Sequence, residues 1–135
     1  TSNLSGDSIQ NLELKDGRTV SHAVAELISR IGSQHIGARG YSSLGAVVGA
    51  TKRDDAAALR QFMPQQLFLV PGYGAQGGGL DDVLPCFKPD GTGAIVTASR
   101  SVIYAFKRDD SHWVNAVADA AAKFADEIGR AVGLR

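Results

Sequence analysis

The chain has 135 residues, with 14 basic and 14 acidic side chains and a formal net charge of zero. This length is enough for one hydrophobic core. The balanced charge excludes the clustered Lys and Arg of a nucleic-acid-binding protein, and no apolar run reaches the roughly 18 residues that cross a bilayer. A single cysteine, Cys86, excludes an internal disulfide and fits a reducing compartment, so we expect a cytoplasmic protein.

Helical and strand-like segments alternate along the chain. Thr19 is a typical N-cap for a helix whose apolar residues Val20, Val24, Leu27, Ile28 and Ile31 follow helical spacing, and Gly32 would end it. The later pattern predicts, in order, a strand over 44–51, a helix over 52–63, a strand over 67–70, a helical turn over 80–87, a strand over 93–97, a helical turn over 101–106 and a long helix over 112–132.

This order of elements predicts an α/β fold with parallel strands joined by right-handed crossovers. The short, nearly continuous apolar strands are typical of strands that are buried on both faces. No linker or low-complexity tract divides the chain, so we expect residues 1–135 to form a single unit. Three strands are few for so many glycine-rich loops, and the first residues look like the end of an earlier strand, which indicates a partial fold.

The strongest local signal is the glycine-rich run PGYGAQGGG, residues 71–79, directly after the predicted strand 67–70. Glycines let several backbone N–H groups point at one anion. The run also matches the GxGxxG pattern of dinucleotide-binding proteins. That match is weak, because Pro85 shortens the following helix and Asp90 lies in a turn rather than at a strand end. A turn that binds no ligand is a further alternative for this run.

A second loop follows the next predicted strand and contains Thr97, Ser99, Arg100 and Ser101. An arginine at the carboxyl end of a parallel strand can bind a phosphate with two hydrogen bonds, and nearby N–H groups complete the site. TIM barrels commonly build a phosphate site from the loops after their seventh and eighth strands. A complete TIM barrel needs about 200 residues or more, so these two loops predict the phosphate site of a partial barrel.

The runs GYSSLGAVVGAT, MPQQLFLVPGYGAQGG, DDVLPCF and PDGTGAIVTASRSVIYAF resemble orotidine 5′-phosphate decarboxylase, in particular its bacterial branch with PGYGAQGG. The opening TSN resembles the end of that family's fifth strand. The resemblance spans essentially the whole chain. It implies the C-terminal half of a (β/α)8 TIM barrel, from the end of strand five to helix eight.

The resemblance also implies roles for five residues. Ser2 matches the serine that contacts the pyrimidine, and Gln76 matches the glutamine that reaches both the phosphate and that serine. Arg100 matches the phosphate-binding arginine beside the backbone of Ser99, and Pro71 would form an apolar wall against the pyrimidine. Two positions depart from the family pattern: Ala98 stands where serine is expected, and Leu4 replaces the proline that commonly follows TSN.

The family's Asp-x-Lys-x-x-Asp motif, whose lysine protonates the developing carbanion, does not occur in this sequence. The resemblance therefore implies a fragment of a lyase that converts orotidine 5′-phosphate to UMP in pyrimidine biosynthesis. The fragment carries the phosphate site and part of the pyrimidine site but no catalytic residue. The resemblance implies a small nucleotide ligand, no metal or organic cofactor, and a homodimer as the complete enzyme. We expect no nucleic-acid or membrane partner.

Two alternatives remain open at this point. The chain is either a non-catalytic half-barrel that binds phosphorylated ligands, or part of another phosphate-binding barrel enzyme. Among the other residues, Tyr73 either contacts a ligand or packs against Tyr104 or Phe106. Cys86 is expected to be a buried structural thiol. The three histidines lack metal-ligand spacing.

Overall fold

A computed structural model describes residues 6–50, 52–74 and 77–134 of the chain. Its elements follow the predicted order, with one short helix before them. They are α1 (Asp7–Gln10), α2 (Val20–Gly32), β1 (Ala46–Val47), α3 (Arg53–Phe62), β2 (Phe68–Val70), α4 (Leu80–Val83), a 3₁₀ turn (Leu84–Cys86), β3 (Ala94–Val96), a π-helical turn (Ser99–Ile103) and α5 (Trp113–Ala131).

Residues close to the ends of α2 and α3 determine where these helices begin and end. The Thr19 side chain accepts a hydrogen bond from the backbone N–H of His22 at 3.2 Å, which caps α2. Asp54 and Asp55 lie in the first turn of α3, where the helix dipole favours negative charge. The helix ends two residues before Pro64. These predictions are confirmed.

Two helical segments differ from the prediction. Helix α1, Asp7–Gln10, was not predicted, because it has only four residues and too short an apolar pattern to detect. The turn predicted over 101–106 begins earlier, at Ser99, and is a π-helical turn that ends at Ile103. The observed position brings Ser99 and Arg100 into the first residues of the turn.

The three strands form one parallel sheet in the order β1-β2-β3. Each strand is shorter than predicted, but the ladder of hydrogen bonds continues past the assigned residues of β1. The N–H of Val48 donates to Leu69 at 2.9 Å, and the N–H of Ala50 donates to Pro71 at 3.0 Å. The strand-like run therefore reaches Ala50, and Thr51 lies outside the described residues.

The helices cover one face of this sheet. Phe68 and Val70 of β2 have no exposed surface and belong to the buried cluster. The cluster also contains helix residues Ala25, Ala56, Leu59 and Val83. Alternate residues of a strand point to opposite faces, so one face of β2 forms the core of the described part of the chain.

The opposite face of the sheet is open, which corrects the prediction that the strands are buried on both faces. Val47, Leu69 and Ile95 are paired in register across the three strands. Their exposed fractions are 57%, 42% and 55%. Continuous apolar strands are typical of sheets that are covered on both faces. The described helices cover only one face of this sheet. This arrangement is that of a partial barrel whose inner face is uncovered.

Candidate functional site

The carboxyl ends of the three parallel strands lie at one edge of the sheet. Pro71 follows β2 directly, and Thr97 follows β3. The N–H of Thr97 donates to the Val70 carbonyl at 3.0 Å, so the two loops that leave these strands start side by side. Ligands of parallel α/β proteins bind at this edge.

The glycine-rich loop after β2 turns back on itself and packs against the end of β1. Gly72 has a φ of +101°, which side-chain-bearing residues rarely adopt. The N–H of Gly74 donates to the Gly78 carbonyl at 2.7 Å. A Cβ on Gly78 would lie 2.9 Å from the Ala50 Cβ and closer still to the Ala50 carbonyl oxygen. Glycine is therefore required where the loop crosses β1.

The two loops enclose a cleft of about 120 Å³. Its lining residues all come from the ends of β2 and β3 and are Pro71, Gly72, Tyr73, Thr97, Ala98, Ser99 and Arg100. The sequence predicted Pro71, Ser99 and Arg100 as site residues, and the structure brings these three together. Ser2 and Gln76 lie outside the described residues.

The chemistry of the cleft suits an anion. Arg100 is exposed, and no hydrogen bond or ion pair joins it to another residue in the described part of the chain. Ser99 and Arg100 open the π-helical turn, and the first N–H groups of a helical segment have no partner within it. A guanidinium group beside such N–H groups is a common arrangement for phosphate binding.

Tyr73 does not pack as the sequence suggested. Its ring lies 5.4 Å from the ring of Phe124 in α5, centre to centre, and not against Tyr104 or Phe106. Phe106 instead lies 5.9 Å from Trp113. The side chain of Tyr73 also lines the cleft, so it contacts both the site and the last helix.

Lys52 lies at the same edge of the sheet and makes structural contacts that the sequence analysis did not predict. Lys52, which follows the end of β1, contacts the carboxylate of Asp7, and its Nζ lies 3.7 Å from the Asp55 carboxylate. These contacts raise the pKa of Lys52, chiefly through the hydrogen bond to Asp7. The nearby acids Asp54 and Asp55 are a sequence signal for an ion pair at Lys52, but Asp7 is 45 positions away and gives no such signal.

Cys86 is fully buried, as predicted. Burial raises the pKa of its thiol to about 11, which keeps it protonated at neutral pH. Among the residues that the structure describes, no group of three or more His, Cys, Asp or Glu side chains is arranged to hold a metal ion. No helix in the same ranges is both long and apolar enough to span a membrane.

Two kinds of comparison identify the relatives of this chain, although no family profile matches it. The orotidine 5′-phosphate decarboxylase of Rhodopirellula baltica is 40% identical over 95% of this chain. The enzyme of the same name from Clostridium perfringens SM101 is 37% identical over 98% of it. The chain is similar in sequence to orotidine 5′-phosphate decarboxylases over nearly its whole length.

The chain spans about half the length of these decarboxylases, 44% and 46% respectively. Solved structures agree with this relationship. The UMP synthase of Leishmania donovani superimposes with a TM-score of 0.77 at 32% identity, over 98% of this chain and 26% of that one. The OMP decarboxylase of the same organism gives 0.73 at 27% identity, over 98% and 45%.

Proposed function

We propose that this chain is the C-terminal half of an orotidine 5′-phosphate decarboxylase barrel and that it carries the phosphate site. The observation that supports this most directly is the convergence of Arg100 and the glycine-rich loop on one cleft, in a chain that is similar in sequence to that enzyme. Residues 1–135 then form one unit that runs from the end of the fifth strand to the eighth helix.

The proposed roles follow the chemistry of each group. The Arg100 guanidinium binds two phosphate oxygens, because its planar fork matches them. The N–H groups of Ser99 and its neighbours donate to the remaining oxygens. Pro71 presents an apolar surface to the pyrimidine. Gln76 and Ser2 complete the path from the phosphate to the base.

The decarboxylation itself requires groups outside this sequence. In the proposal, the complete protein converts orotidine 5′-phosphate to UMP, and a lysine flanked by aspartates protonates the carbanion that remains when CO2 leaves. Lys52 is not assigned that role, because it does not line the cleft and does not stand in an Asp-x-Lys-x-x-Asp motif. The proposal needs neither a metal nor an organic cofactor, and it places the complete enzyme in the cytoplasm as a homodimer.

The experiment that tests the phosphate site is UMP binding to the chain by isothermal titration calorimetry. Arg100→Ala should weaken binding by roughly 10-fold to 100-fold, because hydrogen bonds to a charged partner contribute about 1.5–3 kcal/mol. The control is Arg53→Ala, which removes an exposed arginine at the same edge of the sheet but outside the cleft. Equal UMP affinity in Arg100→Ala and the unaltered chain contradicts the proposed site.

The open face of the sheet favours one alternative, a non-catalytic half-barrel that binds phosphorylated ligands and associates through its uncovered strands. An apolar face and unpaired strand edges promote association. Concentration-dependent dimerisation together with UMP binding supports this alternative. Turnover of orotidine 5′-phosphate by a longer chain that contains Asp-x-Lys-x-x-Asp supports the decarboxylase.

A further inference from the structure

The side chain of Tyr73 joins the glycine-rich loop to the last helix. Its ring and the ring of Phe124 are 5.4 Å apart and inclined by 50°, a favourable geometry for an aromatic pair. The carboxylate of Glu127 is close enough to contribute to the raised pKa of the Tyr73 phenol. Phe124 and Glu127 are three positions apart on α5 and therefore lie on the same face of that helix. The Tyr73 side chain thus lies against one face of α5, with its ring packed on Phe124.

The Tyr73 phenol is neutral at the edge of the cleft. Desolvation, and then the neighbouring Glu127, raise its pKa to about 12. The hydroxyl consequently keeps its proton across the physiological range, so the packing of Tyr73 on α5 does not change with pH there.

Helix α5 also contacts the other wall of the cleft. The π-helical turn that contains Ser99 and Arg100 packs against α5. Near the start of the helix, Trp113 packs on Phe106, which follows that turn. The same helix therefore contacts both loops. Among the described residues, Tyr73 connects it to the glycine-rich loop.

We propose that Tyr73 is a positioning residue whose ring fixes the start of the glycine-rich loop on α5 and so sets the position of Gly72 relative to Arg100 across the cleft. The inference rests on the proposed phosphate site and deepens it. Tyr73 acts through the placement of Gly72 and Gly74, its neighbours in the chain. Its effect should therefore reach every ligand that carries the same phosphate group.

The test compares ribose 5-phosphate and UMP as ligands of the chain by isothermal titration calorimetry. Phe124→Ala removes the ring on which Tyr73 packs and leaves every residue that lines the cleft in place. Loss of this aromatic contact predicts roughly fivefold weaker binding of both ligands. Tyr73→Phe keeps the ring contact and should retain most of the affinity.

Phe62→Ala is the matched control, because it removes another half-buried ring, one that pairs with His22 away from the cleft. Thermal unfolding of each variant shows whether it is folded, and Phe124→Leu keeps apolar bulk on α5 if Phe124→Ala does not fold. Unchanged affinity in the folded Phe124 variant overturns the inference, as does an equal loss in Phe62→Ala. If the unaltered chain binds neither ligand, the proposed phosphate site fails first and the inference fails with it.

Discussion

The ammonium group of Lys52 contacts the carboxylate of Asp7, a residue 45 positions earlier in the chain. Lys52 follows the end of β1, and Asp7 begins α1. The ion pair therefore attaches the first described helix to the edge of the sheet where the cleft lies. The Lys52 side chain is 17% exposed, so solvent screens this pair less than most pairs at a protein surface.

Replacing Lys52 by Met should lower the free energy of unfolding by about 1 kcal/mol at pH 7. The ion pair raises the pKa of Lys52 above its ordinary value of 10.5, so its contribution is complete below that pH and is lost as the pH rises further. Urea unfolding of both proteins at pH 7 and pH 11 measures the difference. Arg18→Met, which removes two more exposed ion pairs, with Asp16 and Glu26, is the control and should have a smaller effect.

Arg60 should be among the residues whose loss destabilises the chain most. Its guanidinium donates to four backbone carbonyls, those of Met63, Gln66, Cys86 and Gly93, at distances between 2.6 and 3.0 Å. It also lies 3.6 Å from the centre of the Phe68 ring.

Arg60→Ala leaves these carbonyls without a donor and should cost about 3 kcal/mol in urea unfolding. The exposed Arg53 on the same helix is the control, and Arg53→Ala should change the free energy of unfolding by less than about 0.5 kcal/mol. Similar values for the two variants would contradict a structural role for the half-buried guanidinium of Arg60.

The two faces of the sheet can be compared with one type of substitution. Val70 has no exposed surface, whereas Val47 is 57% exposed on the open face. Val70→Ala should lower the free energy of unfolding by about 2 kcal/mol, through lost burial and a small cavity. Val47→Ala should cost less than about 0.5 kcal/mol in the chain alone. Equal costs in urea unfolding would show that the open face is covered in solution.

Gly78→Ala should disturb the cleft directly. The added Cβ meets Ala50 at 2.9 Å, and the nearest atoms belong to backbone or a short side chain that cannot move aside. The loop must shift, so UMP affinity should fall at least tenfold, with a loss of stability of about 1–3 kcal/mol. Gly37→Ala is the control, because its Cβ meets only ordinary contacts at 3.6 Å. Calorimetric titration with UMP and urea unfolding measure the two effects.

Local patterns predicted most of the elements and part of the site. Thr19, the acids of α3 and the proline at position 64 act within a few residues of their own positions, and the elements they bound are confirmed. Arg100 was found because strand ends can be located from the sequence, and parallel strands bring those ends to one edge. Pro71 was named as a site residue only through the resemblance to the decarboxylase family.

Other features depend on residues that are distant in the sequence. Arg60 donates hydrogen bonds to the carbonyls of Cys86 and Gly93, which are 26 and 33 positions away. A single arginine in a helical sequence does not indicate such distant partners. Tyr73 packs on Phe124 of α5 rather than on Tyr104 or Phe106, and Phe124 is distant from it in the sequence. The open sheet face was missed because an apolar strand has the same sequence whether or not its second face is covered.

That open face also sets an order in which the chain reaches its final state. The buried cluster on the helix side contains residues that are close in sequence, such as Leu59, Phe68 and Val83, so it closes short loops and should form early. The row of Val47, Leu69 and Ile95 is exposed in the described part of the chain. We expect the helix-covered face of the sheet to become buried first during folding, and the open face to exclude water only if another surface packs on it.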